Sequence, residues 1–106
     1  MKRYISNAFS LNMLNIGWES KHIHVSKLPV RKEGIKTLLL NGDGWESVVG
    51  HQTTADILGI PCNRVTVNLE VGDELLVAQY VGPRLPEGTT VLPEGATFEF
   101  YLVTIS

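Results

Sequence analysis

Between Arg64 and Val71 the chain alternates without a break: Val65, Val67, Leu69 and Val71 fall on one side, and Arg64, Thr66, Asn68 and Glu70 on the other. That period of two is the mark of a half-buried β-strand. Val71-Gly72-Asp73-Glu74 then reads as a turn. Leu75 to Val81 follows it, apolar on both sides, as a central strand joined to the first in a hairpin.

Weaker patterns fill in the rest. Arg3 to Leu11 alternates loosely, with Ile5, Phe9 and Leu11 on one side, and Asn12 to Gly17 reads as a turn. Around His22 to Leu28, Ile23 and Val25 alternate with His22, His24 and Ser26, the pattern of an edge or outer strand. Pro29 can open a helix in which Ile35, Leu38 and Leu39 share a face, weakened by Gly34 and stopped at Asn41-Gly42. Ser47 to His51 looks like a short strand running into a turn. Thr53 or Thr54 can cap a brief helix through Leu58, ended by Gly59 and Pro61. Residues Gly82 to Gly95 hold three of the chain's five prolines and form a long loop, and Thr97 to Ile105 is a final aromatic strand. These elements predict one α+β domain over residues 1–106, its mixed, largely antiparallel sheet covered by short helices.

Composition limits the function. A formal charge of −2 lacks the broad basic surface that coating long nucleic acid requires, but leaves room for a small anionic ligand held by a few cations. No apolar run approaches the ~20 residues that cross a bilayer. The single cysteine, Cys62, and a start without a secretory apolar run point to the cytoplasm, with no membrane partner. Cys62 reads as a small buried thiol, and Trp18 and Trp45 as core or interface residues. His22 and His24 share a strand face, yet no HExxH, cysteine pair or suitably spaced carboxylate joins them, so neither metal nor cofactor is expected.

The polar residues in constrained places are Asn7, Ser10 and Asn12 near the first strand, His51 at a turn, Arg64, Gln79, and Arg84 with Glu87 in the proline-rich loop. Each has an ordinary reading beside a functional one. His51 can cap or pack; equally, the first-turn N–H groups beside it favour an anion such as a phosphate oxygen. Arg84 and Glu87 stand at i and i+3 between prolines, as a surface ion pair or as two held site residues. Asn7, Ser10 and Asn12 can satisfy turn backbone groups, and Arg64 can be a solvated strand residue.

Five segments taken in order choose among these readings: NAFSLNML (Asn7–Leu14), GHQTTA (Gly50–Ala55), NRVTVNLE (Asn63–Glu70), VAQY (Val77–Tyr80) and GPRLPEG (Gly82–Gly88). Together they resemble the viral ring nuclease family, over nearly the whole chain from Tyr4 to Val103 and least between Asn15 and Glu46. Proteins of that family oppose type III CRISPR immunity by destroying the cyclic tetra-adenylate messenger. The resemblance implies a homodimer with the ring bound across its interface. It implies that His51 is the catalytic histidine and that Arg84 and Glu87 are its active-site partners. Asn7, Ser10, Asn12, Arg64 and Gln79 match ligand-lining positions. The chain departs from the family pattern at Gln52, where an acidic residue is common, and in the shortness of the helix that follows.

The implied chemistry needs no metal, because the ribose 2′-hydroxyl attacks the adjacent phosphorus and leaves a 2′,3′-cyclic phosphate. His51 would protonate the departing 5′-oxygen, Arg84 would face the scissile phosphate, and Glu87 would orient one of them. Two-fold symmetry would give two cuts and linear di-adenylates. Two other readings remain: a protein that only sequesters a cyclic oligonucleotide, and an interaction module that docks through the proline-rich loop.

Overall fold

Five strands pair into one mixed sheet in the computed structural model, which describes residues 2–9, 13, 22–86 and 88–106. They are β1 (Arg3–Ser6), β2 (Ile23–Leu28), β3 (Trp45–Ser47), β4 (Glu74–Val81) and β5 (Thr97–Ile105), with helices α1 (Lys32–Leu40) and α2 (Gln52–Leu58) between them. The order across the sheet is β2-β5-β4-β1-β3. The long pairings of β5 with β2 and with β4 are antiparallel, whereas β1 runs parallel to both β3 and β4. The α+β expectation is therefore met, with β2 at an edge and β4 central as their patterns predicted.

Alternation along the strands divides the core between the two faces of the sheet. Ile5, Leu76, Ala78, Phe98 and Phe100 point to the helical side, where they meet Ile35 of α1 and Ala55, Ile57 and Leu58 of α2. Tyr4, Leu75, Val77, Val103 and Ile105 point to the other side. That second face is closed by Val67 and Leu69, 6% and 1% exposed, from the stretch whose alternation was so regular.

The expected hairpin does not form. Apart from a single bridging position at Leu69, residues 61–70 have no regular secondary structure, and Val65 and Val71 are 52% and 51% exposed. The physical reason is that both edges of β4 are already taken, one by β5 and one by β1, so nothing remains for a third partner. The segment instead lies over the sheet, and the Leu69 N–H donates to the Met13 carbonyl. The turn before β4 does form. Buried Asp73 fixes it, one carboxylate oxygen accepting from Glu70 N at 3.0 Å and the other from Lys2 N at 2.9 Å.

Other boundaries moved by smaller amounts. The first strand stops at Ser6 rather than Leu11, and the turn expected from Asn12 to Gly17 lies, apart from Met13, outside the described residues. Helix α1 begins at Lys32, three residues past Pro29, with Arg31 as its N-cap, and ends at Leu40 with Asn41 as its C-cap and Gly42 at φ 73°. Helix α2 is capped by His51, not by either threonine, and closed by Gly59 in the left-handed conformation. Among the described residues, no helix is long and apolar enough to cross a membrane.

Candidate functional site

The parallel strands place the site. Because β3, β1 and β4 run the same way, the residues following them emerge together at one end of the sheet: Asn7 after β1, Gly50 and His51 after β3, Gly82 and Arg84 after β4. The carboxyl ends of parallel strands, where the chain passes to either side of a central one, are where open sheets form ligand crevices. A cleft of about 860 Å3 lies here, within the range of small-molecule sites, lined by Asn7, His51, Thr54, Arg64, Tyr80 and Arg84 among others.

Gly50 is held from two sides. Its N–H donates to Asn7 Oδ1 at 3.3 Å, and its carbonyl accepts from Arg64 Nε at 2.6 Å. A Cβ at this position would stand 3.3 Å from Arg64 Cγ, a tight contact that the arginine side chain would have to shift to relieve. One residue on, the His51 ring turns back over α2. Its Nδ1 lies 2.8 Å from Thr54 Oγ1 and accepts the Thr54 N–H at 3.3 Å. A nitrogen that accepts an amide proton carries none itself, so the neutral ring has its hydrogen on Nε2, the nitrogen left for the cleft. This corrects the sequence expectation at one point: the Thr54 amide is occupied by the histidine and is not an open anion donor.

The opposite wall follows from β4. Tyr80 lies edge-on to Phe98, with ring centroids 5.8 Å apart, and its hydroxyl donates to the Pro83 carbonyl at 2.5 Å. Gly82 between them packs so closely on Ala96, the residue before β5, that an added Cβ would come within 2.7 Å of Ala96 Cβ. This anchored turn brings Arg84, Leu85 and Pro86 to the cleft. Among the described lining residues the charged side chains are Arg64 and Arg84, so the cleft is cationic in a chain of net charge −2.

Four of the residues singled out in the sequence, Asn7, His51, Arg64 and Arg84, therefore share one cleft. Gln79 does not line it: strand alternation puts it with Leu75 and Val77 on the opposite face, exposed. Ser10, Asn12 and Glu87 lie outside the described residues. Tyr80 and the holding role of Thr54 were missed, although the parity of β4 carries the first signal, since Tyr80 follows Leu76 and Ala78 onto the helical side. Elsewhere, His24 Nε2 meets Ser106 Oγ at 2.9 Å, and half-buried Trp45 packs on the first core cluster beneath the Arg3 guanidinium. Cys62 is half-buried rather than buried, packed against that same cluster. No three of the described His, Cys, Asp and Glu residues are grouped so as to hold a metal.

Fold and site define a small α+β protein whose mixed sheet carries a cationic, histidine-bearing cleft at the carboxyl ends of its parallel strands. A family model described as STIV B116-like matches residues 3–98, and the chain belongs to that family. Among solved structures it is similar to B116 of Sulfolobus turreted icosahedral virus (STIV), with 30% sequence identity, a TM-score of 0.75, and coverage of 98% of this chain and 99% of that one. No curated protein matches the chain.

Proposed function

We propose that this protein is a metal-independent ring nuclease that binds cyclic tetra-adenylate and cuts it, shutting off type III CRISPR signalling. The observation that carries the reading is a histidine tied down at Nδ1, which leaves Nε2 to act, lining one cleft with two arginines. The arginines suit phosphate oxygens, and the wall of Tyr80, Leu85 and Pro86 offers an apolar surface to a flat base. The five sequence blocks that resemble ring nucleases supply three of these groups: His51 in GHQTTA, Arg64 in NRVTVNLE and Arg84 in GPRLPEG.

In the reaction the ribose 2′-oxygen attacks the adjacent phosphorus as its own proton leaves to solvent, and the bond from phosphorus to the 5′-oxygen breaks. The protonated His51 ring gives its Nε2 hydrogen to that departing oxygen, a contribution on the order of 10² to 10⁴ in rate. Arg84 faces the phosphoryl oxygens as charge builds there, and Arg64 binds a neighbouring phosphate with its terminal nitrogens. In a homodimer, two such sets face one four-fold ring and yield linear di-adenylates ending in 2′,3′-cyclic phosphate.

Incubation of the purified protein with cyclic tetra-adenylate in EDTA, with products resolved by chromatography, tests this. Di-adenylates from the wild type and intact ring from His51→Ala are expected. A wild type that binds the ring without consuming it would mean a sequestering protein, and no binding heat in calorimetry would remove the nucleotide reading altogether.

A further inference from the structure

Thr54 is buried, 4% exposed, in the first turn of α2, and it meets His51 Nδ1 with two different groups: its backbone N–H and its hydroxyl. The two are not equivalent. An amide N–H can only donate, so it matches Nδ1 when that nitrogen is bare and opposes it when it carries hydrogen. A hydroxyl does both, donating to the bare nitrogen and, after rotating, accepting from Nδ1–H at the same 2.8 Å.

We infer that the Thr54 hydroxyl is the positioning group that keeps His51 in place when the ring takes up its second proton, and so maintains the acid-competent form. The inference rests on the cleavage reading above, since the protonated ring is the form that donates from Nε2. With the backbone amide alone, the bare ring would be held and the protonated ring would meet donor against donor. Before each turnover the second proton comes from solvent and settles on Nδ1 against Thr54 Oγ1. Transfer of the Nε2 hydrogen to the leaving oxygen leaves a neutral ring with its hydrogen on Nδ1, still accepted by Thr54 Oγ1, and exchange with solvent, one proton gained at Nε2 and one lost from Nδ1, restores the resting tautomer for the next turnover.

Two substitutions separate this role from packing, because valine keeps the shape of threonine without the hydroxyl and serine keeps the hydroxyl without the methyl. Thr54→Val is expected to lower kcat roughly 10- to 100-fold, part of what a placed acid supplies, with the affinity for cyclic tetra-adenylate little changed. Thr54→Ser is expected to retain kcat within about threefold of wild type, although losing a buried methyl costs it stability. Nitrogen-15 spectra of the unliganded wild type at alkaline pH should report hydrogen on Nε2. Full activity in Thr54→Val, equal loss in both variants, or hydrogen on Nδ1 in those spectra overturns the inference. A wild type that leaves the ring intact overturns the cleavage reading instead, and the spectra still decide whether Nδ1 is held as described.

Discussion

Arg64 Nε donates to the Gly50 carbonyl at 2.6 Å, tying the segment after α2 to the residue that precedes His51. With Asn7 on the other side of the same glycine, the chain has clamped its loop before any ligand arrives. Two residues first picked out as ligand-lining therefore also hold the backbone that presents the histidine. Lysine at position 64 would keep the charge but cannot bond the carbonyl and reach the cleft at once. Arg64→Lys is accordingly expected to cost about 1 kcal/mol or less in urea unfolding. It should also weaken binding of cyclic tetra-adenylate roughly tenfold by calorimetry, the equivalent of about 1.4 kcal/mol. Unchanged affinity would confine Arg64 to the surface.

His51 has two roles that substitution can separate. As N-cap of α2 it accepts from Thr54 N, and replacing such a cap by alanine costs about 1 kcal/mol. His51→Ala should therefore lose both stability and cleavage. Asparagine is among the best N-caps but carries no acid, so His51→Asn should recover most of the thermal stability and none of the cleavage. Thermal unfolding beside the chromatographic assay checks both, and restored cutting in the asparagine variant would exclude His51 as the proton donor.

The sequence was readable where a segment's own pattern decides its fate. The edge position of β2, the central place of β4, the stop of α1 at Asn41-Gly42 and the extent of β5 all follow from local alternation, apolarity or turn residues. Residues 64–71 were misread because alternation reports which side chains are buried, and Val67 and Leu69 are, but not whether a strand edge is available to pair with. That depends on β1, distant in sequence, occupying the far side of β4. The site divides along the same line. His51 and Arg84 stand out as polar groups beside glycine and proline turns, whereas the capture of Nδ1 by Thr54 needs the backbone of α2 in place first.

Gly82 sits at the narrowest point of the loop that carries Arg84. Its φ is 153°, and an added methyl would meet Ala96 Cβ at 2.7 Å, Ala96 Cα at 2.9 Å and Tyr80 Oη at 3.1 Å. Two of these neighbours belong to β5's approach and cannot yield without moving backbone. Gly82→Ala should thus destabilise the protein by about 1 to 3 kcal/mol, the usual cost of overpacking, and displace the Tyr80–Pro83 contact. A urea midpoint equal to wild type would show that the turn relaxes freely. Tyr80→Phe removes only the hydroxyl's bond to the Pro83 carbonyl and should have the smaller effect, about 1 kcal/mol.

A last pair gives the stability a pH signature away from the cleft. On β5 the Tyr101 hydroxyl donates to Glu99 Oε2 at 2.7 Å, and Lys27 of β2 reaches Glu99 Oε1 at 3.4 Å. The tyrosine's hydrogen bond first, then the lysine, hold the Glu99 carboxyl below its ordinary 4.5. The same hydrogen bond raises the Tyr101 phenol above 10.0. A carboxylate favoured in the folded state stabilises above its unfolded pKa, and that contribution is lost as pH falls through the lower folded value. A phenol favoured in its neutral form does the reverse, stabilising below its unfolded pKa and losing the contribution as pH rises through the raised one. Both side chains are half-buried at the protein surface, so the effect is small and weakened by salt. Glu99→Gln and Tyr101→Phe should each lower the urea midpoint slightly at pH 7, and the gap to wild type should narrow in acid below 4.5 and in alkali above 10.0. A gap that stays constant across that range would mean the two side chains act there by packing, not by charge.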